Sequence, residues 1–82
     1  MKKIRLHSNV RNDVRAIEKD SALQILEAID QYAKTGAGDV KAMQGDFKGL
    51  LRLRVGTYRV LFDETPEEIT VHRIGSRRDV YR

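Results

Sequence analysis

The chain has 82 residues, enough for a single domain spanning residues 1–82 with one modest hydrophobic core, and no second domain is expected. Apolar residues make up 40% and charged residues 34%, which is typical of a folded soluble protein, and the net charge of +4 favours anionic partners. The absence of cysteine, of a signal-peptide core and of a long apolar run argues against disulfides, thiolate chemistry and membrane insertion, so we expect a cytoplasmic protein.

The first half of the chain predicts one strand followed by two helices. Residues 2–7 alternate polar and apolar side chains, as a strand does. Ser8 or Asn9 is expected to cap the first helix, and residues 21–24 match the capping-box pattern of a second helix that ends at Gly36. The apolar residues at helical spacing are Val10, Val14 and Ile17 in the first helix and Ala22, Ile25, Leu26, Ile29, Tyr32 and Ala33 in the second.

The segment after these helices predicts a loop over residues 35–46 and then a β-hairpin. Gly56-Thr57 lies between two apolar runs, and glycine at the first loop position favours a type II′ turn. This turn sets the register, with Arg54 opposite Arg59. Alternation then places two sets on opposite faces of the hairpin: Leu51, Leu53, Val55, Tyr58, Val60 and Phe62 on one, and Arg52, Arg54 and Arg59 on the other.

A last strand is predicted over residues 68–74, ended by Gly75. The inward face of this strand stays open, because Ile69 and Val71 point one way and Ile74 points the other way. The element order predicts an α+β fold with two N-terminal helices on one face of a mainly antiparallel, four-stranded sheet in the order β-α-α-β-β-β.

The positive charge is concentrated in the second half of the chain. Residues 47–82 carry 8 basic and 5 acidic side chains, and four of those acids lie within residues 63–68. Like charges directly opposite on a sheet cost up to about 1 kcal/mol, so Arg54 and Arg59 are better explained by function than by folding. The tail, residues 75–82, is expected to fold over the edge where the arginines meet, although a merely solvated basic face would show the same composition.

Other polar residues have structural explanations. The two histidines have no cysteine, second histidine or carboxylate at metal-ligand spacing, so surface or strand packing is expected. Serines at the helix starts are interpreted as caps rather than nucleophiles. The residues interpreted in this way are His7 and His72 as packing residues, Ser8 and Ser21 as caps, Tyr32 and Tyr58 as core, and Asp63, Glu64, Glu67 and Glu68 as a solvated turn.

Two stretches carry a family resemblance: the run from Phe47 to Phe62, with its Gly-x-Tyr-Arg turn, and the closing residues 73–81, with Arg-Arg-Asp-Val-Tyr at the end. Together with the two amphipathic helices, they resemble the RelE/ParE superfamily of toxins from toxin–antitoxin modules, and specifically its RelE-like ribonuclease branch. The resemblance implies a toxin that enters the ribosomal A site and cuts mRNA by attack of the ribose 2′-hydroxyl on the adjacent phosphodiester. It also implies a cognate antitoxin that neutralises the toxin in a hetero-oligomer, and no metal or other cofactor.

The resemblance assigns roles by position. Arg59 matches the family's phosphate-binding arginine, Arg77 the arginine after the last strand, and Tyr81 the terminal tyrosine that stacks on a base or assists proton transfer. Arg52 and Arg54 stand where well-studied members carry lysines and an arginine, which keeps charge stabilisation but weakens any general-base role, because arginine does not readily give up a proton. These five form the candidate catalytic set, and the residues expected to bind RNA are Lys48, Arg78 and Arg82.

Two other functions remain open on the sequence. The ParE branch shares the fold but poisons DNA gyrase without a nuclease site. A non-enzymatic module could use the same basic face only to dock RNA or an antitoxin. The arginine set and Tyr81 favour the nuclease.

Overall fold

The computed structural model describes residues 1–81, in which a five-stranded sheet is packed against helices. The strands lie side by side in the order β1-β5-β4-β3-β2, with β1 parallel to β5 and every other pair antiparallel. The elements in chain order are β1 (Lys3–Leu6), α1 (Ser8–Arg15), α2 (Lys19–Thr35), β2 (Asp39–Ala42), a 3-10 turn (Gly45–Phe47), β3 (Leu51–Val55), β4 (Tyr58–Glu64), β5 (Glu68–Ser76) and α3 (Arg77–Val80). The predicted α+β class is confirmed. None of the helices in the described residues is long and apolar enough to cross a bilayer.

The predicted strand count of four was wrong, because part of the expected loop over residues 35–46 forms β2. This strand pairs with β3 from Asp39 opposite Arg54 to Ala42 opposite Leu51. Only Val40 of β2 packs against the core, and the strand follows Gly36 and Gly38, so its four-residue alternation resembles a loop in sequence. The extra strand widens the sheet beside the arginines of β3.

The hairpin between β3 and β4 has the predicted register, with Leu53 opposite Val60 and Arg54 opposite Arg59. A type II′ turn requires a positive φ at the first loop residue and not at the second. Gly56 has a φ of 60° and Thr57 does not have a positive φ, so both residues fit this turn. The backbone therefore fixes which side chains of the two strands become neighbours.

The main core fills the space between α1, α2 and one face of the sheet. It includes Ile69, Val71 and Ile74 of β5, although their spacing breaks the two-residue period of a strand. The register explains this, because Leu61 pairs with Arg73 while Phe62 pairs with Val71, and the intervening residue of β5 forms a bulge. The bulge answers the question left open by the sequence: all three side chains face the helices.

The opposite face of the sheet is partly covered by α3. Leu61 of β4 and Val80 of α3 are each about 1% exposed, yet neither belongs to the main core. A Cβ atom on Gly75 would lie 3.6 Å from the side chain of Val80, so the chain folds back directly over the end of β5. We call this surface the arginine face, because it carries Arg52, Arg54 and Arg59 beside α3.

The helix caps differ from those predicted. The N-cap of α1 is His7, whose Nδ1 accepts the backbone N–H of Asn9 at 3.3 Å, so the expected capping by Ser8 or Asn9 was wrong. The second helix begins at Lys19, earlier than the capping box suggested, because the side chain of Glu18 accepts the N–H of Asp20. These changes move the start of α1 by one or two residues and that of α2 by three. The apolar stripes still face the sheet, except that Leu26, predicted to belong to the stripe of α2, is 40% exposed.

Candidate functional site

The centre of the arginine face is a pair of arginines on neighbouring strands. Arg54 and Arg59 are directly opposite each other in the sheet, Arg54 exposed and Arg59 half-buried. The Nη1 of Arg59 donates to the carbonyl of Tyr58 at 3.1 Å, which holds the guanidinium near the hairpin. Neither arginine has a carboxylate at ion-pair distance among residues 1–81. Two uncompensated positive charges therefore lie side by side.

Arg52 has a different environment from these two arginines. Its Nη2 lies 3.4 Å from Oδ1 of Asp39 on β2, a partner that the loop prediction for residues 35–46 did not provide. Its side chain is only 16% exposed, and its buried Nε has no hydrogen-bond partner in the described part of the chain. The charge of Arg52 is thus partly neutralised by Asp39, whereas its buried Nε–H has no acceptor in the described residues.

The end of β5 and the start of α3 bring the C-terminal residues to the same face. Gly75 pairs with Arg59, and Arg77 begins α3 two residues later. The helix starts there because Oγ of Ser76 accepts the backbone N–H of Asp79 at 3.3 Å. Arg77 is exposed and has no carboxylate partner among the described residues. The fold thereby carries Arg77 to the side of the sheet where Arg59 lies.

Tyr81 follows α3 and is half-buried, with its ring centroid 5.6 Å from that of Phe47. The interplanar angle of 58° is tilted, so part of the tyrosine ring is left accessible beside the phenylalanine. Lys48 comes directly after Phe47 and is exposed, as is Arg78 on α3. Arg82, also expected to bind RNA, lies outside the described residues.

Two charged contacts of β5 were missed in the sequence. His72 Nε2 lies 2.6 Å from Oδ2 of Asp63, a contact that the packing role expected of His72 did not include. Asp13 of α1 binds Nε of Arg73 at 3.0 Å and accepts the backbone N–H of Ile74 at 2.9 Å, where β5 extends beyond β1. Asp13 and Arg73 are 60 residues apart in the chain, whereas Asp63 and His72 lie on the neighbouring strands β4 and β5.

The interpretation of residues 63–68 as a solvated turn was also wrong for Glu64. Its Oε2 accepts from Nζ of Lys2 at 2.6 Å, and its Oε1 accepts from the hydroxyl of Tyr32 at 2.5 Å. The hydrogen bond from Lys2 is the largest cause, and that from Tyr32 the next, of a lowered pKa of Glu64. The pKa of Tyr32 is raised to about 12, mainly by burial and to a smaller extent by the hydrogen bond to Glu64.

The arrangement suits binding of a phosphate backbone. Guanidinium groups form charge-assisted hydrogen bonds with phosphate oxygens, and fixed positive groups stabilise negative charge that develops during phosphoryl chemistry. The described residues contain no group of three histidine, aspartate or glutamate side chains suited to hold a metal ion. The arginines of this face can supply both kinds of contact.

Comparison with known proteins identifies the family of the chain. Residues 4–81 match the family model described as the ParE toxin of the type II toxin–antitoxin system parDE. No curated protein matches the chain.

Solved structures show the same fold at low sequence identity. The RelBE2 toxin–antitoxin complex from Mycobacterium tuberculosis matches with a TM-score of 0.80 and 19% identity, over 93% of this chain and 98% of that chain. A mutant of YafQ from E. coli matches with a TM-score of 0.81 and 12% identity over 100% of both chains. The archaeal RelE–RelB complex from Pyrococcus horikoshii matches with a TM-score of 0.73 and 22% identity, over 93% of this chain and 94% of that chain. The resemblance to the RelE/ParE superfamily is confirmed, and the chain belongs to the family of ParE toxins of type II toxin–antitoxin systems.

Proposed function

We propose that this toxin is a metal-independent endoribonuclease that cuts mRNA in the ribosomal A site and so blocks translation. The observation that carries the proposal is the pair Arg54 and Arg59, opposite each other and without carboxylate partners among the described residues. A protein that only needed to fold would not gain from this pair, because it is repulsive until an anion lies between the two guanidiniums.

In the proposed reaction the 2′-oxygen of a ribose attacks the adjacent phosphorus, and the bond from phosphorus to the 5′-oxygen of the next nucleotide breaks. The products are a cyclic phosphate and a 5′-hydroxyl, and the proton lost by the 2′-hydroxyl is balanced by the one gained at the 5′-oxygen. Arg54, Arg59 and Arg77 stabilise the charge on the non-bridging oxygens, and Arg52 adds to the local field. Tyr81 stacks on a base or takes part in the proton transfer, and the cations that guide the strand are Lys48, Arg78 and Arg82.

The composition of this face also gives a reason for dependence on the ribosome. Arginine stays protonated, so Arg52, Arg54, Arg59 and Arg77 cannot act as general bases. Much of the rate enhancement must then come from orienting the attacking oxygen in line with the leaving oxygen. A message held in the ribosomal decoding site is already constrained, whereas a free RNA strand is not.

By the same resemblance, we propose that the partner of this toxin is a cognate antitoxin that forms a hetero-oligomer with it in the cytoplasm. RelBE2 from Mycobacterium tuberculosis and RelE–RelB from Pyrococcus horikoshii are both toxin–antitoxin complexes. These relatives support an antitoxin as the partner of a chain with this fold.

The direct test is to map the 5′ ends of transcripts in a translating extract with and without the protein. We expect new 5′ ends at codons in the A site, each bearing a hydroxyl, and their loss with Arg77→Ala. The matched control is Arg15→Ala, an exposed arginine at the end of α1 on the other side of the sheet, which should keep its cleavage. If an Arg77→Ala variant is folded and fully active, Arg77 is not part of the site. If the extract with the protein shows no new 5′ ends of transcripts, the proposed nuclease function is refuted.

A second function, inhibition of DNA gyrase, is favoured by the family match itself, because the matching model is described as ParE. The two functions separate cleanly in vitro. Loss of supercoiling by purified gyrase, with intact transcripts in the extract, would replace the nuclease by the gyrase inhibitor.

A further inference from the structure

The turn between β3 and β4 carries an exposed hydroxyl group, that of Thr57. Two other threonine hydroxyls are engaged in hydrogen bonds. Thr35 Oγ1 donates to the carbonyl of Gln31 at 2.9 Å, and Thr65 Oγ1 accepts the backbone N–H of Glu68 at 3.1 Å. The side chain of Thr57 makes no hydrogen bond to any of residues 1–81. Its hydroxyl is therefore open to chemical modification from solvent.

The guanidinium group of Arg59 lies against the same turn. Its Nη1 donates to the carbonyl of Gly56 at 3.4 Å and to that of Tyr58 at 3.1 Å, and these two residues come directly before and after Thr57. Arg54 is opposite Arg59 in the sheet, and neither arginine has a carboxylate at ion-pair distance among residues 1–81. The hairpin thus combines a free hydroxyl with two uncompensated positive charges.

We propose that Thr57 is a phosphorylation site and that its phosphate switches the arginine face off. The phosphoryl donor is ATP, bound by a protein kinase of the cell. The hydroxyl oxygen of Thr57 attacks the terminal phosphorus of ATP, the bond from this phosphorus to the oxygen of ADP breaks, and the hydroxyl proton passes to a base of the kinase. The turn thereby gains a charge of about −1.5 to −2 near pH 7 and three strong hydrogen-bond acceptors.

The partners of such a phosphate are already in place. The guanidinium of Arg59 is held beside the turn, and Arg54 is its direct neighbour across the hairpin. Both can form charge-assisted hydrogen bonds with the phosphate oxygens. These bonds would also relieve the repulsion between the two arginines, so the fold favours the modified form of the turn.

The phosphate on Thr57 and the phosphate of an mRNA compete for the same two arginines. Since the first is covalently attached beside them, it has a high effective concentration and excludes the second. The inference rests on the proposed function in one respect, because the arginine pair must be what binds the message. It deepens that proposal by giving the chain a reversible inhibitor of its own, which a phosphatase removes.

The test compares two phosphorylated forms of the full chain, made by chemical synthesis. One carries phosphothreonine at residue 57. The matched control carries it at residue 65, an exposed position in the other hairpin turn, whose acidic neighbours are Asp63, Glu64, Glu67 and Glu68.

Titration followed by ³¹P NMR measures the pKa of the second ionisation of each phosphate, which is about 6 for a phosphate free of neighbours. We expect a lower pKa at residue 57, because neighbouring positive charge favours the dianion, and no lowering at residue 65. Arg54→Gln should raise the value at residue 57 toward that of the free phosphate.

Cleavage in the translating extract measures the switch. Phosphorylation of Thr57 should slow cleavage by about tenfold or more, and phosphatase treatment should restore it. Phosphothreonine at residue 65 should leave the rate unchanged. Thr57→Asn, which suits a turn but has no hydroxyl, should cut like the original protein, because the unmodified side chain has no part in the reaction.

Three results would overturn the proposal. Equal phosphate pKa values at residues 57 and 65 would exclude the contact with the arginines, and full cleavage by the form phosphorylated at Thr57 would exclude the switch. The third is a mass spectrum without phosphothreonine at residue 57 in the toxin recovered from the cells that make it, both growing and arrested. The nuclease is tested separately, because an unmodified protein that cuts no mRNA refutes the proposed function, whereas the ³¹P titration still decides whether the arginines hold the phosphate.

Discussion

Glu64 shows how a single side chain ties distant parts of this chain together. It accepts hydrogen bonds from Lys2, just before β1, and from Tyr32 on α2, and it lies at the end of β4. Its side chain is 22% exposed, so the contacts are only partly screened by water. The three residues form a polar clasp across one end of the sheet.

We predict that Glu64→Gln destabilises the protein at neutral pH by about 1–3 kcal/mol, because the uncharged amide loses the charge-assisted bond from Lys2. The pKa of Glu64 is lowered in the folded state, so its contribution is complete above the unfolded value of about 4.3 and is lost as the pH falls through the folded pKa. The pKa of Tyr32 is raised to about 12, so its contribution is present below about 10 and is lost between about 10 and 12.

Urea unfolding at several pH values measures both effects. The difference between Glu64→Gln and the original protein should shrink toward acid pH. Glu67→Gln is the control, because Glu67 is exposed and its carboxylate makes no side-chain contact in the described residues. A pH-independent difference would show that the clasp acts through packing rather than charge.

Arg54 offers the opposite case, a residue that is unfavourable for folding. We predict that Arg54→Gln raises the free energy of unfolding by a few tenths of a kcal/mol to about 1 kcal/mol, because it removes the repulsion with Arg59. The same change should reduce mRNA cleavage in the translating extract, because one phosphate-binding group is lost. Arg54→Lys is the matched control for charge and should show no gain in stability. If Arg54→Gln were both more stable and fully active, Arg54 would have no role in the proposed chemistry.

Among the elements, α3 has only four residues and is stable only because Val80 packs against the sheet opposite the main core. We predict that Val80→Ala costs about 1–2 kcal/mol of stability and also lowers cleavage, because it loosens the helix that positions Arg77 and Tyr81. Urea unfolding and the extract assay measure the two effects. The control is Val55→Ala, at the hairpin on the helix side of the sheet, which should lose stability but keep cleavage in the folded fraction.

Substitutions of Tyr81, which directly follows α3, can distinguish a stacking role from a role in proton transfer. We predict that Tyr81→Leu loses most of the cleavage, because base stacking on an aromatic ring contributes about 1–3 kcal/mol. Tyr81→Phe keeps the ring, and its cleavage rate measures the part played by the hydroxyl. A fully active Tyr81→Leu variant would mean that Tyr81 contacts no base.

The elements that could be predicted from the sequence are those set by local chemistry. The hairpin was predicted in full register because Gly56-Thr57 determines the turn and the alternation around it determines the faces. The second strand was missed because its edge position needs only one buried side chain, Val40. The inward face of β5 could not be resolved, because the bulge depends on pairing with β4 and not on residues nearby in sequence.

The candidate site divides in the same way. Alternation along the hairpin predicted that Arg54 and Arg59 share a face, and this is where the structure has them. It did not predict that Asp39 pairs with Arg52, because that contact depends on a strand the sequence did not reveal. The burial of Val80 against the arginine face was likewise hidden, because it depends on the fold-back of α3 over β4 and β5.

At the scale of the whole molecule, the sheet separates two surfaces of different chemistry. One carries the arginines beside α3, and the other carries α1 and α2. Substitutions on the helix surface should therefore leave the function of the arginine face intact. Effects of residues this far apart are expected to add.

This separation predicts the salt dependence of RNA binding. If Arg54, Arg59 and Arg77 each contact one phosphate of a single strand, the logarithm of the binding constant should fall with the logarithm of salt concentration with a slope of about −2. Arg77→Ala should reduce the slope by about 0.7, whereas Arg11→Ala on the helix side should leave it unchanged. Fluorescence anisotropy with a short RNA at several salt concentrations measures both. Equal slopes for the two variants would contradict the assignment of RNA to the arginine face.

The position of β1 beside β5 has a consequence for biosynthesis. In the described residues β1 forms its strand pairing with β5 alone, and these strands stand near opposite ends of the chain. A nascent polypeptide emerging from the exit tunnel can form α1, α2 and the hairpin, but β1 has no strand partner until residues 68–71 have been synthesised. The sheet of the toxin therefore stays incomplete during synthesis until β5 has emerged to pair with β1.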